Sequence, residues 1–182
     1  MVCGDEVHQL QIKQGLPPVI GERSHTLILG SLPGDGSIRT RRYYADPRNQ
    51  FWTILSRVYQ ADIEDGYEER IAFLLSHDLA LWDVLRSAQR DGSVDYTIRN
   101  GDPNDFGPLL RTYPELTAIG FNGRKAYDLF LKYVMKQERS VWLDRSRVGI
   151  LPSSSPTPGR YVLPLDEKVV RWREFLLPLP VD

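Results

Sequence analysis

The amino-acid sequence predicts an α/β domain built on a mostly parallel sheet. Four short apolar runs have the length of buried strands and are bounded by turn-forming residues: 26–30, 79–82, 116–121 and 147–151. Helix-like segments separate three of these runs, which is the pattern of βαβ units and a parallel sheet. A chain of 182 residues, 41% of them hydrophobic, is ordinary for one globular domain. We therefore expect a single domain over residues 1–182, with its core at about 24–177.

The helices are expected from the spacing of apolar side chains. Two segments place these side chains at i, i+3, i+4 and i+7, on one helical face: Phe51, Ile54, Leu55 and Val58, and then Ala126, Leu129, Phe130 and Tyr133. Asp65 and Asp166 are candidate N-caps of two further helices. The first of these carries Ile71, Leu74 and Leu75, and the second carries Val169, Trp172 and Leu176.

Three other segments give weaker signals. The mixed polarity and turn residues of 90–108 predict a loop that can hold a short helix. The first fifteen to twenty residues and the proline-rich tail with Pro178 and Pro180 are expected to be peripheral.

Charge and cysteine content exclude several classes of function. The net charge of −1 gives no global attraction to nucleic acid, so such a partner needs a local basic patch. The single cysteine, Cys3, excludes an internal disulfide and a cysteine-based metal cage, and the three histidines are far apart. We therefore expect no metal and no cofactor. The absence of a long apolar run or a signal peptide predicts a cytoplasmic protein without a membrane partner, and a monomer is the default.

Ligands of open parallel α/β sheets bind outside the carboxyl ends of the strands, so the loops after the four strands should share chemistry. The first loop is the glycine-rich turn 30–37, GSLPGDGS. Trp82-Asp83, Asn122-Gly123 and the segment 151–156, LPSSSP, follow the other strands. The turn is neither a Walker A loop nor a dinucleotide fingerprint, and its glycines are typical either of a close approach to an anion or of a tight strand-to-loop turn.

An arginine- and tyrosine-rich segment follows the glycine turn. Arg39, Arg41, Arg42 and Arg48 surround Tyr43 and Tyr44. Arginines neutralise phosphates and aromatic rings stack on bases, which favours contact with nucleic acid over a solvated loop with one tyrosine in the core. Asp46-Pro47 is typical of a helix start, which would place Asn49 in the first turn, either facing the strand ends or without a ligand.

The remaining strand-end residues each have a structural and a functional interpretation. Asn122 is either the N-cap of the third helix or an amide that points into the pocket, with Gly123 allowing close approach. Residues 151–156 form either a rigid connector or a stiff loop whose serines contact a nucleotide. Trp82 is expected in the core, and Asp83 is most simply a helix cap.

In order, these segments resemble the uracil-DNA glycosylase superfamily, and within it most closely the hypoxanthine-DNA glycosylase branch. The motifs that carry the resemblance are GSLPG, the tyrosine pair, DPRNQFW, WDVL and LPSSSP, spread over 26–176. The resemblance implies a three-layer α/β/α sandwich with a central four-stranded parallel sheet. It also implies an enzyme that flips a deaminated base out of DNA and hydrolyses its N-glycosidic bond.

The resemblance also implies roles for particular residues. Asn49 matches the amide on which the branch relies for catalysis. The base-binding residues would be Gly30, Ser31, Leu32, Pro33, Gly34, Tyr44, Phe51 and Asn122. The DNA-binding residues would be Ser37, Arg39, Arg42, Ser153, Ser154, Ser155 and Pro156, the last four in a loop that presses into the minor groove.

One departure from the wider superfamily bears on mechanism. Several branches carry Asp or Asn where this chain has Leu32, and the branch it resembles shares that loss. No convincing pair of catalytic carboxylates is present, and Asp35 and Asp83 are reserve candidates for activating water. The expected partner is DNA that contains deaminated bases, above all deoxyinosine. A uracil- or mismatch-specific glycosylase, a lesion-binding protein that does not cleave, and a flavodoxin-like nucleotide-binding domain are the alternatives.

Overall fold

The computed structural model describes residues 11–135, 146–156 and 162–178. The strands run over β1 Gln11–Gln14, β2 Thr26–Gly30, β3 Leu79–Asp83, β4 Leu85–Arg90, β5 Arg99–Pro103, β6 Ala118–Asn122 and β7 Arg147–Leu151. The helices run over α1 Asp35–Thr40, α2 Phe51–Tyr59, α3 Tyr67–Ser76, α4 Phe106–Thr112, α5 Arg124–Leu129 and α6 Leu165–Leu176. A 3₁₀ turn lies at Asp95–Thr97, and α5 continues as a π-helix over Phe130–Val134.

The central sheet has the strand order β3-β2-β6-β7, and all its pairs are parallel. Gly30 is in register with Asp83, and Asn122 with Leu151, so the four strands end at one edge. The four predicted strands are therefore confirmed, with the third shifted to Ala118–Asn122.

Helices cover both faces of this sheet. Alternate residues of a strand point to opposite faces, so Leu27 and Leu29 pack with α4 and α5, whereas Ile28 packs with α2, α3 and α6. Trp172 of α6 and Phe51 of α2 are fully buried on the second face. The predicted three-layer α/β/α sandwich is thereby confirmed.

A second sheet takes up part of the loop predicted at 90–108, namely Arg90 and Arg99–Pro103, and a short 3₁₀ turn lies between them at Asp95–Thr97. Strands β1, β4 and β5 pair antiparallel in the order β1-β4-β5, with irregular register between β4 and β5. The loop prediction missed β5 because this strand has the sequence RNGDP, which lacks the β-branched and aromatic residues typical of strands. Residues 11–14, predicted as peripheral, form its outer strand, whereas 1–10 with Cys3, and Pro180, lie outside the described residues.

The helix starts differ from the predicted caps. The N-cap position of α3 is Gly66, not Asp65, and that of α6 is Pro164, with Asp166 in the first turn. Helix α2 begins at Phe51, with Gln50 and not Asp46 at the N-cap position. Asp46 begins a separate turn, in which the main-chain N–H of Asn49 donates to the Asp46 carbonyl oxygen. In the part of the chain that the structure describes, no helix is long and apolar enough to cross a membrane.

Candidate active site

A cavity of about 1020 Å³ opens at the carboxyl edge of the central sheet. This volume is at the upper end of the range of small-molecule sites. Most of the predicted site residues line it: Gly30, Ser31, Leu32, Pro33, Gly34, Ser37, Arg39, Tyr44, Asn49, Asn122, Ser153, Ser154, Ser155 and Pro156. Residues more than a hundred positions apart in sequence therefore meet at one site, as the strand-end rule requires.

Phe51 and Arg42 do not line the cavity. The Phe51 ring is fully buried and lies behind the Tyr44 ring, stacked on it at 3.8 Å between centroids. Phe51 therefore supports Tyr44 from the core instead of meeting a base itself. The Arg42 guanidinium lies over the ring of Tyr67, 5.6 Å from its centroid.

The two tyrosines have different environments. Tyr43 is buried, and its hydroxyl donates to the carbonyl oxygens of Leu16 and Pro17, so it is the tyrosine expected in the core. Tyr44 has a left-handed backbone with φ of 53° and lines the cavity. Burial, followed by the nearby Asp83 carboxyl, raises the pKa of the Tyr44 hydroxyl, which therefore stays protonated at neutral pH.

The glycine-rich turn is held by a buried arginine. Arg90 is 1% exposed, and its guanidinium donates to the carbonyl oxygens of Leu32 and Pro33. These two guanidinium hydrogen bonds hold the backbone of the turn in place. At Gly30, an added Cβ would clash with Asp83 Oδ1, so the close approach of this side chain favours glycine. No sequence pattern indicates a role for Arg90, which lies in the polar segment interpreted as a loop.

The Asn49 side chain serves two purposes. Its Oδ1 accepts a hydrogen bond of 3.0 Å from the Phe51 amide, which stabilises the start of α2. Its Nδ2 donates to no group among the described residues and belongs to a side chain that lines the cavity. The structural and functional interpretations of Asn49 are therefore compatible, since each uses a different atom of the amide.

Asn122 joins the serine loop to Tyr44. Its Nδ2 donates to the Tyr44 hydroxyl at 3.0 Å and to Ser154 Oγ at 2.8 Å, and its Oδ1 accepts from the Ser154 amide at 2.9 Å. The N-cap position of α5 is Gly123, so the capping interpretation of Asn122 was wrong. Its amide is engaged on both sides, which makes it a positioning residue in this structure.

The serine loop presents only part of its surface. Ser154 is fully buried, so its predicted contact with DNA is corrected to a structural one. Ser153 and Pro156 are exposed, and Ser155 is half-buried. The loop is held from below, since Trp172 Nε1 donates to the Pro152 carbonyl oxygen at 2.9 Å.

The carboxyl groups of Asp83 and Asp95 belong to the cavity lining. Asp83 is 4% exposed and is followed by a strand, so it is not a helix cap. Burial, followed by the neighbouring Asp95 carboxyl, raises the pKa of Asp83 to about 7, against an opposing effect of Arg90. Asp95, which the sequence did not single out, accepts a hydrogen bond from Ser31 Oγ, and burial raises its pKa as well.

The rim of the cavity is basic although the chain as a whole is not. The basic residues along it are Arg39, Arg48, Arg124, Lys125, Lys168 and Arg171. Three of them are engaged: Arg48 with Asp46 at 2.9 Å, Arg124 with Asp128 at 2.9 Å, and Lys168 with the Gln50 side chain at 2.8 Å. This is the local patch that a phosphate backbone requires of a protein with a net charge of −1.

A sequence profile of the Uracil DNA glycosylase superfamily matches residues 17–175. The chain belongs to the uracil DNA glycosylase superfamily. A hypoxanthine DNA glycosylase of Methanosarcina acetivorans is 37% identical over 153 residues, which are 82% of this chain and 90% of the relative. One of Methanosarcina barkeri is 39% identical over 137 residues, 74% of this chain and 86% of the relative.

A solved structure agrees with these relatives. The solution NMR structure of a protein from M. acetivorans, provisionally named a uracil DNA glycosylase, superposes with a TM-score of 0.73 at 34% identity. The match covers 91% of this chain and 99% of that one. The superfamily expected from the motifs is confirmed, together with its fold and its class of DNA glycosylases, which hydrolyse N-glycosyl bonds.

Proposed function

We propose that this protein removes hypoxanthine from DNA by hydrolysing the bond between C1′ of deoxyinosine and the base, which leaves an abasic site. The observation that carries the proposal is the side-chain amide of Asn49. Its Oδ1 accepts from the main-chain N–H of Phe51, which leaves its Nδ2 available to donate at the cavity. A donor that is held in place before the reaction stabilises developing charge without reorganisation. The names of the two Methanosarcina relatives support hypoxanthine as the substrate.

The cavity supplies the groups that such a reaction needs. The flipped base would stack on Tyr44, whose ring is fixed by Phe51 behind it and by Asn122 at its hydroxyl. As the C1′–N bond breaks, the bonding electrons move onto the purine, and water adds to C1′ while its proton ends on the departing base. Asn49 Nδ2 donates to the negative charge on the purine or orients that water. Leu32 offers no polar group, so it forms an apolar wall.

The DNA contacts belong to the same proposal. Arg39 and Ser37 would contact the phosphate backbone, and Ser153, Ser155 and Pro156 would enter the minor groove next to the flipped nucleotide. We propose a monomeric, cytoplasmic protein that folds as one glycosylase domain.

Cleavage assays on defined duplexes test this function. Labelled duplexes with hypoxanthine, uracil, xanthine or a G·T mismatch are incubated with excess protein and heated in alkali, which cuts abasic sites. We expect hypoxanthine to react fastest in single turnover. An Asn49→Ala preparation made in parallel controls for contaminating glycosylases. A preference for uracil would indicate a uracil glycosylase instead. Binding to deoxyinosine without cleavage would indicate a lesion-binding protein.

A further inference from the structure

The buried carboxyl of Asp83 stands out because nothing in the described residues completes its hydrogen bonds. The side chain is 4% exposed, yet it belongs to the lining of the cavity at the end of β3. Its Oδ2 is buried and has no hydrogen-bond partner in the part of the chain that the structure describes. A buried oxygen without a partner costs free energy, so it is a site where a ligand gains by supplying a hydrogen bond.

The position of Asp83 is fixed from several sides. Its main-chain oxygen accepts from Asn104 Nδ2 at 2.8 Å. Gly30 lies beside it in register, and its missing side chain leaves the space that Asp83 Oδ1 occupies. The carboxyl is therefore confined beside Gly30 at the end of β3, in the lining of the cavity.

The charges around Asp83 favour its protonated form. Burial removes water from the carboxylate, and the Asp95 carboxyl adds repulsion; both raise the pKa of Asp83, to about 7. The Arg90 guanidinium and the hydroxyl of Tyr43 oppose them, while the hydroxyl of Tyr44 is neutral at this pH. A protonated carboxyl has one donor and one acceptor, whereas a carboxylate only accepts.

We propose that the protonated carboxyl of Asp83 binds the Watson–Crick edge of the flipped base, donating its O–H to the purine O6 and accepting from the neighbouring N1–H. This inference rests on the proposed function and assigns a base-binding residue to the same cavity. The two contacts match a lactam, an N–H beside a carbonyl, which is the group that deamination creates in hypoxanthine, xanthine and uracil.

The same contact assists departure of the base. When the C1′–N bond breaks, the negative charge spreads over the purine and reaches O6, so the hydrogen bond from Asp83 strengthens in the transition state. The proton remains on Asp83. An ionised Asp83 would instead repel O6. The reaction should therefore require the protonated enzyme.

A pH profile with three proteins tests the proposal. Single-turnover cleavage of a hypoxanthine duplex is measured from pH 5.5 to pH 9 for the wild type, Asp83→Asn and Asp83→Leu. We expect the wild-type rate to fall about tenfold per pH unit above about pH 7, because the protonated fraction falls in that ratio. Asp83→Asn keeps a donor and an acceptor at every pH, so it should retain activity and lose this decline. Asp83→Leu should be at least about 100-fold slower at pH 6.

Two results would overturn the proposal. One is a wild-type decline that persists unchanged in Asp83→Asn, and the other is an Asp83→Leu rate equal to that of the wild type at pH 6. Circular dichroism checks that each variant is folded. Should Asp83→Leu fail to fold, carboxyl ¹³C NMR of the wild type decides: the Asp83 resonance, assigned with Asp83→Asn, must titrate near neutral pH and shift when free hypoxanthine is added.

The proposed function and the Asp83 contact fail in different ways. If the wild type cleaves none of the four substrates at any pH, the proposed hypoxanthine activity fails, whatever the NMR titration shows. If the wild type cleaves hypoxanthine and the Asp83 variants behave as the wild type does, only the Asp83 contact fails.

Discussion

The two sheets of this molecule contribute to the cavity in different ways. The central parallel sheet ends in Gly30, Asp83 and Asn122, which lie at the cavity itself. The antiparallel sheet β1-β4-β5 provides Arg90 and leads into the 3₁₀ turn with Asp95, and these two residues act on the cavity by fixing its backbone and its charge. In the proposed function, the central parallel sheet supplies groups that meet the base, and the antiparallel sheet and the turn after it act on their geometry and protonation.

The largest effect should come from Asn49, next to the central sheet. Asn49→Asp keeps the Oδ1 acceptor for the Phe51 amide and replaces the Nδ2 donor by a negative charge. We expect single-turnover cleavage to fall by at least about 10²–10³-fold. The free energy of unfolding in urea should stay within about 0.5 kcal/mol of the wild type.

Asn49→Ala separates the two purposes of this side chain. It should lose as much activity as Asn49→Asp and also about 1 kcal/mol of stability, because the Phe51 amide loses its acceptor. A variant that cleaves normally, or one in which lost activity is explained by unfolding, would return Asn49 to a purely structural role.

The second effect concerns Arg90 in the antiparallel sheet. Arg90→Leu leaves the carbonyl oxygens of Leu32 and Pro33 without donors and should lower the free energy of unfolding by about 3 kcal/mol. Arg86→Leu on the same strand is the matched control, because Arg86 is exposed and pairs with Asp102 at the surface. That pair should contribute less than about 1 kcal/mol. Equal urea midpoints for the two variants would show that the antiparallel sheet does not hold the turn.

Much of the central sheet could be predicted from the sequence, since fully buried strands are short apolar runs and their ends converge by topology. This is why Gly30 and Asn122 could be placed at one cavity, whereas the roles of Tyr44 and Asn49 were implied by the resemblance to the superfamily. The antiparallel sheet could not be predicted, because β5 is polar and its strands are defined by long-range pairing. Arg90 and Asp95 were missed for that reason: a charged residue in a polar segment gives no sign that folding will place it against the glycine-rich turn.

Pairs of chemically similar residues could not be told apart from the sequence for a similar reason, since tertiary contacts decide which of the two is buried. Ser153 and Ser154 are identical in sequence, and only the contact with Asn122 makes Ser154 a buried residue. Phe51 and Tyr44 are both aromatic, and only packing decides which ring meets the cavity.

The third effect tests whether Asp95, in the turn after β4 of the antiparallel sheet, changes the protonation of Asp83 at the end of the parallel sheet. Asp95→Asn keeps an acceptor for Ser31 Oγ but removes the negative charge that raises the pKa of Asp83. Asp83 should then lose its proton at lower pH, so the decline of the cleavage rate should move to lower pH, by about one unit. Asp91→Asn, an exposed charge on the same connection, is the control and should leave the profile in place. A pH profile that is unchanged in Asp95→Asn would show that Asp95 does not influence the protonation of Asp83.

The smallest effect distinguishes the two neighbouring serines at the carboxyl edge of the central sheet. Ser154→Ala removes the hydroxyl that accepts from Asn122 Nδ2, and this buried loss should cost about 1 kcal/mol of stability. Because it loosens the tie between the loop and Tyr44, it should slow single-stranded and duplex substrates by the same factor. Ser153→Ala alters an exposed side chain and should leave stability within about 0.5 kcal/mol while weakening duplex substrates more than single-stranded ones. If the two variants instead affect both substrates equally, the loop positions Tyr44 but does not enter the minor groove.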